Sequence, residues 1–433
     1  MIHSLRIANF KSISTTGDNE IELKPLSIFT GPNSSGKSNL LEAIAFLAQI
    51  PHHPRDYMRN VESILQHGSL VSYPSTTFIA FCKKTDRPIS IEISFSLNAK
   101  EQENIKTKYK NIGYRLSYVP QSQSSMQIIS LGPNKFAQTI FQRTEKGILN
   151  RFLWPEFLSR FAPRESTDQL LSPNIFNPLP VEVTDRQRLE IGEFLKTARF
   201  CVDILISKLE RTFFVSTLRG AIPSTGKAEG SPTWVGKQGE NVLNLLSLIF
   251  SKREHSDKAK KIRLWSAKFG LQSMLGGWWG NDQIGVDFED PALKQVLELN
   301  LASFGTRQIL TIITQIFWSQ EGDTIMIEEP EISLHPESQV RLQELFAEAV
   351  RQGKQIICST HSPFFVLALS RVVKKKLLSI NDVAVYHVEK GRNGTQISNL
   401  KLNRHGFLES GVPSFMKIEE ELFEDWSESL EGE

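Results

Sequence analysis

Gly31-Pro32-Asn33-Ser34-Ser35-Gly36-Lys37-Ser38 is the stretch that decides the fold of this 433-residue chain. It matches the phosphate-binding pattern G-x-x-x-x-G-K-[ST] at every fixed position. Residues 26–30 before it (LSIFT) have the composition of a short buried strand, and residues 39–50 after it carry apolar side chains at helical spacing. A strand, a glycine-rich loop and a helix N-terminus in this order present backbone N–H groups and the positive end of a helix dipole to an anion. The pattern predicts a nucleoside triphosphate site.

The residues of this loop have separate expected roles. Lys37 is expected to reach the β- and γ-phosphates, and the Ser38 hydroxyl to ligate Mg²⁺. Asn33, Ser34 and Gly36 are expected to line the phosphate cradle. The alternative is a Gly/Ser turn with a surface lysine, which the flanking strand and helix disfavour. ATP and Mg²⁺ are therefore the expected ligands.

Composition is that of an ordinary globular protein, with 40% hydrophobic and 23% charged residues and a net charge of +2. This near balance neither demands nor excludes nucleic acid. Cys82, Cys201 and Cys358 lie far apart and lack the spacing of a zinc site. The N-terminus has no signal-peptide pattern, and the apolar run at 242–250 is too short to span a bilayer. We expect a cytoplasmic protein without a membrane partner.

Strands are predicted to dominate the first hundred residues. Residues 89–95 alternate apolar and polar side chains, which indicates a half-buried antiparallel strand. Further strands are expected at 2–10, 20–23 and 77–82. From 98 to 180 the pattern is weak, and polar stretches with scattered prolines suggest loops and an insertion.

Helical spacing returns in the second half of the chain. Helices are predicted at 184–211, 241–267, 308–318 and 337–351. Buried strands are predicted at 213–215, 324–327 and 355–359, and a closing hairpin at 382–388 and 395–400. The helical stretch 241–267 ends in a basic segment, and the chain from 418 onward is acidic with interleaved aromatic residues.

Two adjacent carboxylates follow the predicted strand at 324–327 in the sequence TIMIEEPE. This is the arrangement of a Walker B motif, in which Glu328 would hold the Mg²⁺ shell and Glu329 would polarise the attacking water. The alternative is two exposed glutamates in a turn before Pro330. The phosphate-binding loop elsewhere in the chain favours the first interpretation.

His361 follows the predicted strand at 355–359 in the sequence STHS. A histidine in this place can hydrogen-bond a γ-phosphate and sense its loss, whereas the alternative is a structural histidine at a strand end. The segment Ala302-Ser303-Phe304-Gly305-Thr306-Arg307-Gln308 opens a helix and parallels the signature sequence of ATP-binding-cassette proteins. Phe304 and Thr306 depart from that signature, and the alternative is an ordinary helix N-cap at Ser303.

The order of phosphate loop, SFGTRQ, IMIEEPEISLHP and CSTHS resembles the ABC-type ATPase heads of the RecF/SMC and OLD (overcoming lysogenization defect) group. Residues 5–12 are similar to the first strand of that group, and residues 214–223 and 235–241 to segments of its stand-alone bacterial ATPases. Gln66 is the counterpart of the Q-loop glutamine, which would contact the bound nucleotide. Glu328 replaces the more usual aspartate.

This resemblance implies an α/β fold: a P-loop ABC-type ATPase head with a mixed sheet, an antiparallel N-terminal subdomain and a helical insertion. The expected regions are an N-terminal ATPase lobe (1–100), an insertion and partner-binding region (101–290), a C-terminal ATPase lobe (291–402) and an acidic tail (403–433). It also implies a head-to-tail dimer, or a higher oligomer, in which Ser303 and Gly305 of one subunit close over the ATP of the other.

Within the group, two further features are not expected here. The heptad-like run at 191–209 is too short for an SMC coiled coil, and too few residues follow 388 for a Toprim nuclease. Chains of this kind resemble bare OLD-type ATPases that act beside a separate effector in bacterial anti-phage systems. The alternatives are a RecF-like repair ATPase that clamps duplex DNA through the basic residues of 252–268 and 374–376, and a scaffold that binds ATP but barely hydrolyses it.

Overall fold

The computed structural model describes residues 1–17, 20–52, 60–144, 147–154, 170–171, 184–220, 222–223, 225–227, 230–280 and 283–431. The chain forms two compact units, each built from separate segments. The first unit comprises residues 1–23, 34–212 and 389–397, and the second comprises residues 24–33, 213–388 and 398–433. The phosphate-loop stretch therefore begins in the second unit and ends in the first.

The secondary structure alternates short strands with helices of very different lengths. The described strands are β1 (Ile2–Phe10), β2 (Ile13–Thr15), β3 (Ile21–Glu22), β4 (Leu26–Thr30), β5 (Ile89–Ser96), β6 (Asn111–Val119), β7 (Ser124–Leu131), β8 (Asn134–Thr144), β9 (Gly147–Trp154), β10 (Thr212–Val215), β11 (Thr225–Lys227), β12 (Gln272–Gly280), β13 (Gln283–Asp290), β14 (Gln295–Glu298), β15 (Thr324–Glu328), β16 (Gln355–Thr360), β17 (Val383–Gly391) and β18 (Gly394–Leu400). The described α-helices are α1 (Lys37–Ala48), α2 (Val61–Gln66), α3 (Ala99–Asn104), α4 (Asp185–Glu210), α5 (Val242–Ser251), α6 (Ser256–Lys268), α7 (Phe304–Trp318), α8 (Pro336–Arg351), α9 (Pro363–Leu367), α10 (Leu369–Lys374) and α11 (Pro413–Glu431).

The first unit contains an eight-stranded sheet in the order β2-β1-β5-β6-β7-β8-β9, with β3 also paired to β1. Neighbouring strands are antiparallel throughout. In β5 the apolar residues at odd positions are buried and the residues between them are partly exposed, as the alternation predicts. This confirms the antiparallel N-terminal subdomain.

The loops expected between 98 and 180 are wrong for residues 111–119, 124–131, 134–144 and 147–154, which form β6 to β9. Residues 155–169 and 172–180 of that prediction lie outside the described residues. The reason for the error is visible in β7, where the inward positions include Ser125 and Gln127 besides Ile129 and Leu131. Gln127 Oε1 accepts hydrogen bonds from Tyr114 Oη and from the backbone N of Leu171, both at 3.0 Å. Buried polar side chains satisfied in this way break the apolar alternation that marks a strand in the sequence.

A second sheet has six strands in the order β10-β15-β16-β4-β17-β18, and its strands β15, β16 and β4 belong to the second unit. Strands β15, β16, β4 and β17 run parallel, and β4, β15 and β16 are buried along their whole length. Parallel strands covered on both faces have continuous apolar sequences, which is why these three strands were predicted nearly to the residue. Helix α8 connects β15 to β16 in a βαβ unit. Together with the antiparallel sheet of the first unit, this confirms the α/β fold of a P-loop ATPase head.

Three other predictions of local structure differ from what the chain adopts. Residues 77–82 form two 3₁₀ turns and a single bridge between Ala80 and Phe10 instead of a strand. The helical stretch 241–267 is divided into α5 and α6. Residues 272–298 carry β12, β13 and β14 of a separate four-stranded antiparallel sheet, which the sequence did not predict. In the described ranges, no helix has the length and apolar character needed to cross a bilayer.

Candidate nucleotide-binding site

The carboxyl ends of three parallel strands meet at one edge of the six-stranded sheet. Thr30 at the end of β4 pairs with Thr360 in β16, and Ser359 pairs with Glu328 at the end of β15. The phosphate loop, the two glutamates and His361 all follow these strand ends in the chain. The carboxyl edge of a parallel sheet is where α/β proteins bind ligands, so the topology places the predicted motifs in the expected position.

Gly31 begins the phosphate loop directly after β4. Its φ is +147°, and a Cβ at this position would collide with the carbonyl oxygen of Val388 in β17. Only glycine lets the backbone pass so close to the neighbouring strand. The first fixed glycine of the pattern is therefore required by packing, independently of any ligand.

Gly36 ends the loop and is the N-cap of α1, with φ of +108° and no side-chain cap. A Cβ on Gly36 would collide with the hydroxyl oxygens of Ser12 and Thr395. Thr395 Oγ1 donates to the carbonyl oxygen of Ser35 at 2.9 Å and lies 2.7 Å from Ser12 Oγ. Asn39 Nδ2 also donates to Ser12 Oγ, at 2.6 Å. This hydroxyl cluster holds the loop in place. Gly36 provides no side-chain cap to the first turn of α1, which is the arrangement of a helix N-terminus that binds phosphate.

The remaining loop residues differ in exposure. Lys37 is buried, and its Nζ lies 3.4 Å from Ser35 Oγ. Asn33, Ser34 and Ser38 are exposed, and Ser34 has a positive φ of 59°. Ser38 is the second residue of α1, so its hydroxyl stands at the helix N-terminus where the pattern predicts the Mg²⁺ ligand.

Glu328 and Glu329 differ in environment although they are adjacent. Glu328 is buried at the end of β15, whereas 31% of the Glu329 side chain is exposed. Glu329 adopts φ of 43°, a conformation that residues with a Cβ rarely take. Its Oε1 lies 3.5 Å from His361 Nε2, and its backbone N donates to the Ser359 carbonyl at 2.9 Å. The structure therefore brings together the two residues predicted to be catalytic.

The Glu331 carboxylate bonds the end of β16, directly before and at His361, a role that the sequence did not indicate. Its Oε1 accepts hydrogen bonds from Thr360 Oγ1 and from the backbone N of His361, both at 2.7 Å. Burial raises the pKa of the Glu331 carboxyl, and these two hydrogen bonds oppose the shift. The sequence shows a third glutamate after the proline of EEPE, but it does not show that this carboxylate accepts from the backbone of His361.

Arg219 contacts the backbone of the turn that carries Glu328 and Glu329, and the sequence did not predict this role. Its Nη1 donates to the carbonyl oxygen of Glu328 at 2.7 Å, and its Nη2 to that of Glu329 at 2.8 Å. Burial lowers the pKa of Arg219 to about 10, and the charges of Glu331, Glu328 and Glu329 oppose this shift. The sequence placed Arg219 in a family-like segment, 214–223, without assigning it a role.

Ser303 and Gly305 lie at the start of α7. Ser303 is the N-cap, and its Oγ accepts from the backbone N of Thr306 at 3.2 Å. The side chain is nonetheless exposed. Gly305 is buried, and a Cβ there would collide with the carbonyl oxygen of Ser333. Both residues thus have a structural function within the chain, and their contact with ATP stays a prediction.

Gln66, the predicted Q-loop residue, is the last residue of α2 and is exposed. Its Nε2 donates to the carbonyl oxygen of Pro74 at 3.1 Å, a contact within its own segment. The nucleotide contact predicted for Gln66 stays a prediction.

The donor set suits Mg²⁺ only in combination with a nucleotide. No group of three His, Cys, Asp or Glu side chains in the described part of the chain could hold a metal ion by itself. Mg²⁺ is usually held by one or two protein oxygens together with substrate phosphates, and the Ser38 hydroxyl and the Glu328 carboxylate are each an oxygen donor of this kind. The residues present therefore fit a metal that arrives with ATP.

Comparison with known proteins gives the class. The profile of the AAA_15 family, described as an AAA ATPase domain, matches residues 1–268 and 244–366. The chain therefore belongs to this family of ATPases. Its motifs resemble those of the ABC-type ATPases of the OLD group, and an OLD nuclease is among its curated relatives.

Two curated relatives extend this comparison. The OLD nuclease of Thermus scotoductus is 22% identical over 369 residues, which are 84% of this chain but only 60% of the nuclease. The ATP/GTP phosphatase of Helicobacter pylori is 21% identical over 391 residues, 87% of this chain and 89% of the phosphatase. An SMC head solved with the C-winged helix domain of ScpA covers 93% of this chain, at 12% identity and a TM-score of 0.48. Because that TM-score is low, the assignment depends on the sequence matches.

Proposed function

We propose that this protein is an ATP-hydrolysing switch whose catalytic pair is Glu329 and His361. The observation that carries the proposal is the 3.5 Å approach of Glu329 Oε1 to His361 Nε2, next to strand ends that also carry Glu328 and the phosphate loop. A partly exposed carboxylate can accept a proton from an attacking water, and a neighbouring imidazole can hydrogen-bond a phosphate oxygen.

The other residues bind rather than react. Lys37 and the N-terminus of α1 would bind the phosphates, with Asn33, Ser34 and Gly36 lining the loop and Gln66 near the nucleotide. Ser38 and Glu328 would hold Mg²⁺, which neutralises charge on the phosphates when bound. ATP and its hydrolysis products would then favour different states of the protein, because they make different contacts with it.

The switch is proposed to operate in a head-to-tail dimer or higher oligomer in which Ser303 and Gly305 face the ATP of a second copy. Two observations support this. Ser303 is exposed, and it is flanked by Leu301 and Phe304, which are 65% and 48% exposed. Large apolar side chains around a polar binding residue are typical of a surface that a partner covers.

Mixing two inactive variants tests the dimer. Lys37→Ala disables the phosphate loop and Ser303→Arg disables the opposite surface, so each variant alone should lack turnover. In a 1:1 mixture, half of randomly formed dimers are mixed and hold one intact site of two, so about a quarter of parent turnover should return. Two copies of the same variant serve as the control. A mixture as inactive as its components would contradict the composite site.

A separate effector is the second part of the proposal, in the setting of bacterial anti-phage defence. It is supported by α11, which is anchored by Val412 and Phe415 against the core and then projects exposed apolar residues. Those residues are Ile418, Leu422, Phe423 and Trp426, with exposures between 53% and 65%. The same helix carries seven acidic residues and one lysine. An acidic amphipathic helix fits an apolar groove with a basic rim on another protein.

Removal of residues 417–433 tests the role assigned to α11. Val412 and Phe415 remain in the truncated chain. We therefore expect the free energy of unfolding to change by less than about 0.5 kcal/mol and ATP turnover by less than about twofold, as for an ordinary surface substitution. Binding to a candidate effector protein, measured by calorimetry, should be lost. Loss of turnover in the truncated chain, or unchanged binding to that protein, would contradict the docking role.

The DNA-clamp alternative receives little support from its basic segment. Lys258 Nζ donates to the Trp318 carbonyl at 3.0 Å and lies 4.2 Å from that ring. Arg263 Nε donates to the Met274 carbonyl at 2.8 Å, and Lys268 Nζ lies 3.5 Å from the Trp265 ring. Three of the basic residues thus pack against their own unit, which leaves fewer cations for phosphate contacts.

A further inference from the structure

Arg219 is a charged side chain almost completely buried, with 2% of its surface exposed. Its Nη1 donates to the carbonyl oxygens of Ser216 at 2.8 Å and Glu328 at 2.7 Å, and its Nη2 donates to that of Glu329 at 2.8 Å. These acceptors are backbone oxygens rather than carboxylates. The guanidinium therefore holds the backbone at Glu328 and Glu329, and the side chains of these two residues make their contacts with other groups.

The carbonyl groups of Glu328 and Glu329, which accept from Arg219, lie in the two peptide units on either side of the Glu329 Cα. The carbonyl of Glu328 belongs to the peptide before Glu329 and the carbonyl of Glu329 to the peptide after it. Fixing both peptide planes fixes φ and ψ of the residue between them. The backbone N of Glu329 is held as well, because it donates to Ser359 in β16 at 2.9 Å.

The conformation held in this way is one that Glu329 would not adopt by itself. A φ of 43° is in the left-handed region, which is unfavourable by about 1–2 kcal/mol for a residue with a Cβ. Such conformations persist only where the surroundings impose them, and they are concentrated at functional sites. The direction of the Glu329 side chain, including its 3.5 Å approach to His361, depends on this backbone conformation.

A guanidinium suits this task better than other donors. It is planar and remains charged at neutral pH, and its fork can reach two successive carbonyl oxygens at once. Lysine would offer a single nitrogen, and a neutral amide would offer fewer donors. The position of Arg219 is itself fixed, because Gly220 has φ of +92° and packs against the backbone of Gln308 in α7.

We propose that Arg219 is a positioning residue that holds Glu329 in its left-handed conformation and so directs the carboxylate toward the attacking water. This inference rests on the proposed role of Glu329 as general base. Arg219 acts on the rate of hydrolysis through Glu329 and makes no contact with the nucleotide.

A double-mutant cycle between Arg219→Lys and Glu329→Gln tests the proposal. In the parent chain, Arg219→Lys should lower kcat about 10–100-fold, while the Kd for a fluorescent ATP analogue changes less than about threefold. In the Glu329→Gln chain, the same change should alter single-turnover hydrolysis by less than about twofold, because the group being positioned is already absent. Arg219→Gln provides a second, neutral variant with the same expected pattern.

Arg263→Lys is the matched control. Arg263 Nε also donates to a backbone carbonyl oxygen, that of Met274 at 2.8 Å. It lies in α6, far in the sequence from Glu328 and Glu329. Its replacement should leave kcat within about twofold.

Each other outcome has a separate meaning. If Arg219→Lys and Arg219→Gln are unfolded, or lose nucleotide binding in parallel with turnover, Arg219 serves core stability and the inference is wrong. Independent, multiplicative effects in the double mutant would also overturn it. If Glu329→Gln alone leaves turnover unchanged, the proposed function fails instead, whatever the Arg219 variants show.

Discussion

Glu329→Gln is expected to lower ATP turnover at saturating substrate by about 10²–10³-fold, because an amide cannot accept the proton of the attacking water. The change keeps the size of the side chain and leaves both backbone bonds to Arg219 in place. Nucleotide affinity should stay within about threefold of the parent, because the loss concerns only the transition state. Steady-state kinetics and equilibrium binding of an ATP analogue measure the two quantities separately.

A second glutamate near the same strand provides the control for this variant. Glu337 lies in the exposed first turn of α8 and pairs with Arg341 on the surface. Because exposed ion pairs contribute about 0–1 kcal/mol, Glu337→Gln should leave turnover nearly unchanged. Equal turnover of Glu329→Gln and the parent would remove Glu329 from the catalytic role.

The closed state offers an independent readout of the same variant. If ATP favours the dimer and hydrolysis releases it, Glu329→Gln should remain dimeric as long as ATP is present, whereas the parent should return to its starting state. Light scattering after a single addition of ATP follows both proteins over time. A parent and a variant with identical time courses would contradict the link between hydrolysis and opening.

The sequence predicted those parts of the site that consist of contiguous patterns. The phosphate loop, Glu329 and His361 each stand directly after a buried strand, and parallel strands of continuous apolar residues are easy to recognise. The carboxyl ends of parallel strands meet at one edge of a sheet. The topology therefore predicts that residues which directly follow these strands, such as Glu329 and His361, lie at that edge.

The supporting residues could not be found in this way. Arg219 bonds carbonyl oxygens that lie 109 and 110 residues away in the chain, and backbone acceptors have no residue type to identify them. Glu331 is similar, since one of its partners is the backbone N of His361. Strands β6 to β9 and β12 to β14 were missed for another reason: inward polar residues such as Gln127 and glycines such as Gly276 interrupt the apolar alternation.

Lys37→Met is expected to affect both binding and turnover, in contrast to Glu329→Gln. Lys37 is buried in the phosphate loop, so its ammonium would contact phosphate oxygens with little competition from water. Loss of a charged hydrogen bond of about 1.5–3 kcal/mol corresponds to an affinity for ATP that is weaker by about 10–150-fold. Turnover should fall further, by about 10²–10³-fold, since charge on the phosphates increases toward the transition state.

Lys100→Met, an exposed lysine in α3, is the matched control and should behave as the parent. Unchanged ATP affinity in Lys37→Met would contradict the assignment of the loop. Measuring both proteins with and without duplex DNA also separates the remaining alternatives. Turnover that depends on Lys37 and rises with DNA in a salt-dependent manner would favour a DNA clamp, because each phosphate contact contributes to the salt slope. Turnover that depends on Lys37 and ignores DNA would favour a switch that acts on a protein effector.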